Sequence, residues 1–504
     1  MVAAVAVVPG SFSVAPLSGV LRPLLRRGLV RAMLACMSSV LACATASAQL
    51  PQTNAAAAAQ AAQAAQAAQA AEANGAVAQA NAAPALAWSE QEKRAIARHG
   101  PWPQPVLPDR SNRGSGNADA VALGRALFFD VRLSPKGDMA CASCHQSGRA
   151  FGDGRDRAHG RERLDRNTPG LWNAGLGRWF GWDGGADSLW GFALRPMLNP
   201  VELAASPSHV ARLLRSDAAY ACLHRNAFDV ALNAPKGVPG NAPTKTRHGA
   251  ESRSQSQSSE GDQSKQRAGA TKAAPAAPAV NAADERLMVD AAKALAAFME
   301  TLQSGKSAFD ELHDALARSD AAAAARYPED ARRGLRLFTG RGQCAVCHFG
   351  PNFTNGEFHE VGIPYLVDKG RVDPGRQGGI KLVRADRYNL LGAFSDDPSR
   401  ASGSRTRHVA ENHANYGQFK TPSLRNVELT APYMHNGKLA ALRDVVQHYS
   451  EIPEDRLHQD GEALLKPLRL TEGEANDLVA FLRTLTSKTF PAVDEVTPVC
   501  QPRK

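Results

Sequence analysis

Two pentapeptides carry most of the chemistry open to this chain: Cys141-Ala-Ser-Cys144-His145 and Cys344-Ala-Val-Cys347-His348. Each offers two thiols spaced to add across the vinyl groups of one haem, followed directly by an imidazole able to ligate its iron. A single copy could serve a zinc or redox site. Two full copies, each with its His, point to two covalently attached haem c groups. A zinc site built from both Cys pairs would leave both His residues idle and would have to join pairs 203 residues apart.

The elements that must position these motifs repeat as well. Gly124-Arg-Ala-Leu127-Phe128 precedes the first motif and Gly334-Leu-Arg-Leu337-Phe338 the second, each at the end of a stretch with helical spacing. A Gly-x-x-Leu-Phe helix that twice feeds a haem-attachment loop is an internal repeat. It predicts a mainly α chain of two cytochrome c-like haem domains with little strand content.

Composition sets the domain limits. Residues 1–48 carry four arginines, no acids, and an apolar run from Leu29 to Ala46 ending in Ala46-Ser47-Ala48. That is the pattern of a secretory signal cleaved after Ala48, so a periplasmic protein is expected. The apolar run is short for a membrane span, which disfavours an uncleaved anchor. Residues 49–86 are almost all Ala and Gln and read as a low-complexity tether. Residues 234–283, rich in Ser, Gln, Lys, Pro and Ala, read as a disordered insertion. There remain an N-terminal haem domain over 87–233 and a C-terminal one over 284–504, together roughly 370 residues and enough for two cores.

The net charge of +10 misleads, because the signal and the insertion contribute +4 each and the tether −1, leaving about +3 on the folded part. Nucleic-acid binding is therefore not expected. Of the eight cysteines, Cys36 and Cys43 leave with the signal and four belong to the motifs. Cys222 and Cys500 either pair in an oxidising compartment or stay as two thiols.

Between the motifs, Asn167-Thr168-Pro169-Gly-Leu-Trp172-Asn173-Ala174 and Trp179-Phe180-Gly181-Trp182-Asp183-Gly184 hold too much Gly, Pro and amide for a long helix. Tryptophans in such a loop either wall a haem from water or relay electrons.

From Leu127 to about Phe490, the insertion excepted, the chain resembles the bacterial diheme cytochrome c peroxidase and MauG family. The resemblance rests on both Cys-x-x-Cys-His units, Arg166-Asn167-Thr168-Pro169 with Asn173-Ala174, and Trp182-Asp183-Gly184. It rests above all on Thr421-Pro422-Ser423-Leu424-Arg425-Asn426-Val427 running into Leu429-Thr430-Ala431-Pro432-Tyr433-Met434-His435-Asn436-Gly437.

The resemblance implies that His145 is the proximal ligand of a peroxidatic haem and that Glu202, in Pro196-Met-Leu-Asn-Pro-Val-Glu202, is the distal acid. A carboxylate in a restricted pocket can move the proton that peroxide cleavage requires. On spacing alone Glu202 would pass for an ordinary helix-start acid. Trp182 matches the family's inter-haem tryptophan. Asn167, with the carbonyls of Thr430 and Pro432, matches its calcium site, oxygen donors too few to complete a shell without water. His159 falls where some members carry a His that caps the peroxidatic iron; a solvated loop His is the equal alternative. Phe192 stands where the family usually has a distal Gln, which dries the pocket.

His348 is, on the same resemblance, the proximal ligand of the second haem. Counting along a helix expected to begin after Gly437, the opposite ligand falls on Tyr449, as in MauG-type members. Met434 competes for that role. A phenolate favours ferric iron and a thioether ferrous iron.

The function so implied is a periplasmic diheme peroxidase that reduces hydrogen peroxide to water. Electrons would arrive through the second haem from a small redox protein such as a cytochrome c or a cupredoxin. The alternative is a MauG-like oxidase that oxidises a side chain of a protein substrate through a high-valent diheme state. Glu202 speaks against a plain electron-transfer cytochrome, and a homodimer stays open.

Overall fold

A computed structural model describes residues 88–229, 281–363, 367, 370–452, 458, 460–461 and 464–501. The signal, the tether and residues 234–280 of the insertion lie outside the described residues.

The main helices in chain order are α1 (Glu90–Ala97), α2 (Ala118–Phe129), α3 (Leu189–Leu198), α4 (Pro207–Ser216), α5 (Ala218–Phe228) and α6 (Ala282–Glu300). They continue as α7 (Ala308–Ala317), α8 (Glu329–Thr339), α9 (Arg376–Ala385), α10 (Leu442–Glu451) and α11 (Glu472–Arg483). Two short strands, β1 (Phe358–His359) and β2 (Phe419–Lys420), pair antiparallel with Phe358 opposite Lys420. The chain is thus helix-rich with few strands, and no helix among the described residues is long and apolar enough to cross a membrane.

Two large hydrophobic cores hold most of the helices, and a small third cluster of Trp179, Phe358 and Val383 holds α9. The first gathers α2, α3, α4, α5 and α6, with Phe128, Trp190 and Met197 fully buried. The second gathers α7, α8 and α11 around Phe309, Phe338, Phe353 and Phe481. In both, a helix crosses at the Gly of the repeat. A Cβ added to Gly124 would lie 1.9 Å from Ala294 O on α6, and one added to Gly334 would lie 2.0 Å from Asp477 O on α11. Those glycines are demanded by close approach of a second backbone.

The cores do not respect the domain limits read from composition. Ile96 of α1, assigned above to the N-terminal domain, is buried in the second core, whereas α6, assigned to the C-terminal domain, fills the first. The reason is the character of α6. It is buried on nearly every face from Leu287 to Met299, so it needs a site enclosed all round, which α2, α3 and α4 supply. Residues 281–283, counted above with the insertion, start this helix: Asn281 caps it by accepting the Ala283 N–H at 2.9 Å. Cys222 of α5 and Cys500 form a disulfide, Cα atoms 6.0 Å apart, and fasten the segment after α11 to the first core.

The internal repeat runs further than the helix ends. Thr168-Pro169-Gly-Leu171-Trp-Asn173 and Thr421-Pro422-Ser-Leu424-Arg-Asn426 take equivalent positions. Asn173 and Asn426 both adopt left-handed φ, 65° and 61°, a conformation Asn tolerates. Their side-chain oxygens accept the N–H of Ser304 and of Ser487, both at 2.9 Å. Their own N–H groups donate to Leu302 O and Leu485 O. Each segment then closes a short bridge, Phe180 to Ala186 and Tyr433 to Leu439.

Candidate haem sites and the segment between them

Each Cys-x-x-Cys-His motif folds into a single helical turn after its Gly-x-x-Leu-Phe helix, with the His N–H donating to the first Cys carbonyl at 2.9 Å in both copies. His145 Nδ1 donates to Phe151 O at 2.8 Å, and His348 Nδ1 donates to Phe353 O at 3.0 Å. That bond fixes the tautomer with its proton on Nδ1 and leaves the lone pair on Nε2. Burial lowers His145 and pushes His348 down to about 4, so both rings stay neutral. None of the four motif cysteines is in a disulfide. Two free thiols and one neutral, oriented imidazole at each place are the donor set haem c requires. The residues fit the group twice.

The two places differ in their other walls. α3 carries Phe192, which stacks on Phe180 with centroids 6.3 Å apart, and ends in the turn that bears Glu202. Glu202 Oε2 accepts the Asn199 side-chain amide at 2.6 Å. Burial raises its carboxyl above the usual range, opposed by the Asn199 bond and by the Arg195 charge. Its charge reaches the thiols of Cys141 and Cys144, which places it beside the first motif. The turn at Gly160 packs on it: an added Cβ would lie 2.4 Å from Val201 O and 3.2 Å from Glu202 Cα. His159, next in that turn, is exposed, and its carbonyl faces the Cys144 thiol at 3.8 Å.

Tyr449 stands beside the second motif, where its electrostatic neighbours are Cys344 and Cys347. Burial pushes its phenol up. The supporting helix starts later than expected. Leu439 is taken by the bridge to Tyr433, and Ala441 caps α10 by donating its N–H to Asp444 Oδ2 at 2.9 Å. The buried stripe of α10 is accordingly Leu442, Val446 and Ser450, with Leu439 off the helix and Tyr449 at the stripe's edge. Met434 is half-buried in a turn of positive φ, 71°, and its carbonyl accepts the Gly437 N–H.

Between the two motifs the chain is polar and buried. The indole N–H of Trp182 donates to Asn167 O at 2.9 Å, and Trp182 O accepts the Lys420 N–H at 2.8 Å. Arg166 binds Asp373 through two bonds of 2.7 Å and Asp183 at 2.7 Å, a charged triad in which the guanidinium holds the Asp183 carboxyl below its usual range against burial. Arg376 donates to Gly184 O at 3.0 Å and stands 3.9 Å over the Phe358 ring. Lys420 Nζ donates to Trp179 O at 3.0 Å, and burial pushes it down to about 8. Of the residues matched to a calcium site, Asn167 donates its side-chain amide to Arg155 O at 2.7 Å, and Thr430 packs its methyl on Gly170. Pro432 follows in the same turn, after a cis bond.

Sequence reasoning named His145, His348, Glu202, Trp182 and Tyr449 and missed the residues that hold them. Asn199, Asn173, Asn426, Lys420 and the triad of Arg166, Asp183 and Asp373 were given no role of their own. Only the Asn pair left a signal, since Thr-Pro-x-Leu-x-Asn occurs twice.

Comparison with known proteins agrees with this geometry. Residues 118–317 match the family model described as di-haem cytochrome c peroxidase. The methylamine utilization protein MauG of Methylorubrum extorquens is 33% identical over 372 residues, covering 73% of this chain and 79% of its own. MauG of Paracoccus denitrificans is 30% identical over 425 residues, 74% of this chain and 90% of its own. The cytochrome-c peroxidase IdrP2 of Denitromonas iodatirespirans is 28% identical over 400 residues, 77% and 88%. Among solved structures, the diheme peroxidase BthA from Burkholderia thailandensis shares the fold, with a TM-score of 0.52 at 21% identity over 76% of this chain and 88% of that one. With its twin Cys-x-x-Cys-His turns and relatives of this length and identity, the chain belongs to the MauG and di-haem cytochrome c peroxidase family.

Proposed function

We propose that this oxidoreductase is a periplasmic diheme peroxidase, reducing hydrogen peroxide to water at the His145 lobe with electrons entering through the His348 lobe. Each lobe is read as cytochrome c-like, its haem bonded to Cys141 and Cys144 or to Cys344 and Cys347, with His145 and His348 as proximal ligands. The observation that carries the reading is an asymmetry: a half-buried acid, Glu202, lies beside the first thiol pair and a half-buried phenol, Tyr449, beside the second. An acid is what peroxide cleavage needs; a phenol is what a closed, electron-storing site needs.

Haem supplies the iron at which the O–O bond of peroxide is broken. Glu202 takes the proton from one peroxide oxygen and returns it to the departing one, through the oxygen that Asn199 does not hold. Phe192 and Phe180 exclude water on that side. Trp182, bonded to Asn167 and Lys420, connects the lobes. A calcium ion on Asn167 and the carbonyls of Thr430 and Pro432 would brace this junction. Steady-state reduction of peroxide by a reduced small cytochrome c or cupredoxin tests the proposal; no turnover with either donor would sink it.

MauG-like oxidation of a side chain on a protein substrate is the second reading. It is favoured by Tyr449, which would hold the second iron ferric. Peroxide consumption only in the presence of a partner protein, with that partner oxidised, would select it.

A further inference from the structure

The lobes meet around a pair of equivalent residues. Aligning Phe180-Gly181-Trp182-Asp183-Gly184 with Tyr433-Met434-His435-Asn436-Gly437 puts His435 in the place of Trp182, and the Thr-Pro repeat puts Lys420 in the place of Asn167. The hydrogen bonds obey this equivalence across the lobe boundary. Lys420 N–H donates to Trp182 O, and Asn167 N–H donates to His435 O, both at 2.8 Å.

The rings then diverge. The indole of Trp182 reaches back to Asn167 O. The imidazole of His435 stacks on Phe419, centroids 3.5 Å apart and planes within 7° of parallel. Trp182 and His435 therefore join the same two segments, 167 on one side and 419–420 on the other. Those segments lead toward the proximal imidazoles: the Pro169 carbonyl lies near the His145 ring and the Pro422 carbonyl near the His348 ring. His435 is 4% exposed, so its ring is dry. Two rings in van der Waals contact and shielded from water close part of the through-space gap that an electron would otherwise have to cross.

We propose that His435, stacked on Phe419, is a second electronic contact between the lobes, running parallel to Trp182. It carries one electron at a time, supplied by the donor protein, and makes or breaks no bond. The inference rests on the two-haem reading and not on which reaction the protein catalyses.

The test is the rate of electron transfer between the lobes in the holoprotein after pulsed reduction, in four forms: wild type, Trp182→Phe, Phe419→Leu and the double variant. Phe419→Leu removes one ring of the stack and leaves the Asn167–His435 bond in place. Parallel contacts predict less than about a twofold change from Phe419→Leu alone, and a further loss of about tenfold when it is added to Trp182→Phe, a non-additive pair. Phe419→Tyr in the Trp182→Phe background should keep the rate of Trp182→Phe. Haem content of two per chain and unshifted midpoint potentials show that the variants are intact; a different haem count would fail the two-haem reading itself. If Phe419→Leu does not hold both haems, His435→Phe, which keeps two stacked rings, should retain the rate of its background, and a collapse there overturns the proposal. Equal fold losses in both backgrounds, or no further loss in the double variant, also overturn it.

Discussion

Asn199 donates its side-chain amide to Glu202 at 2.6 Å, so the acid of the first pocket is held by its own turn. The bond leaves one carboxylate oxygen for substrate and pulls the carboxyl pKa down against a burial that raises it. Glu202→Gln should slow the reaction with peroxide by about 10²-fold, the scale of a lost acid–base group, with haem content intact. Stopped-flow mixing with peroxide checks it; a rate within about twofold of wild type would leave Glu202 a structural residue.

The same pair sets a pH dependence. Glu202 must be a carboxylate to accept a proton, so the rate falls as pH drops through its raised pKa. Removing the amide in Asn199→Ala removes a contribution that lowers that pKa. The acid limb of the rate profile should therefore move to higher pH, and in Glu202→Gln it should vanish.

Replacing Cys141 and Cys144 by Ser should remove one haem and leave the other, and replacing Cys344 and Cys347 should do the reverse. Intact-protein mass before and after each change decides the matter. Two retained haems in either variant would contradict covalent attachment at these thiols.

Tyr449→Phe should alter the low-spin ferric spectrum and raise the potential of the second haem, because a hard anionic donor is lost. The phenol's buried setting raises its pKa, so deprotonation there depends on a bound cation. An unchanged ligand field would transfer the role to Met434.

Gly334→Ala would place a methyl group 2.0 Å from Asp477 O, where neither helix can yield without parting. A loss of about 3 kcal/mol, the upper end for overpacking, is expected, together with poor occupancy of the second haem. Thermal unfolding followed at the haem absorption would reveal it.

Deleting residues 234–280 should leave both haems and peroxide turnover in place. Extending the cut to 283 removes Asn281, the cap of α6, and should cost about 1 kcal/mol more. Equal stability of the two deletions would mean the cap is dispensable.

Much of this was legible in the sequence because haem attachment demands a fixed local spacing. The same holds for the Gly-x-x-Leu-Phe helices, whose glycines answer to contacts with Ala294 and Asp477 far along the chain. The membership of α1 and α6 was not legible, since burial on all sides says that a helix is central without saying to which core. Tyr449 was reached by counting from Gly437, and the helix that carries it starts at Leu442, a delay that moved its first turn and not its register. The pairing of Cys222 with Cys500 and the triad of Arg166, Asp183 and Asp373 rest on long-range proximity that no spacing encodes.

The exchange of helices between cores also has a timetable. A ribosome makes Ile96 long before Leu478 and Phe481, with which it shares a core, and Cys222 long before Cys500. The second core cannot close until α11 is made, and its apolar surface stays uncovered until then. An enzyme that bonded haem to Cys344 before α11 had docked would work on an open chain, with both thiols presented to it, and not on a finished pocket.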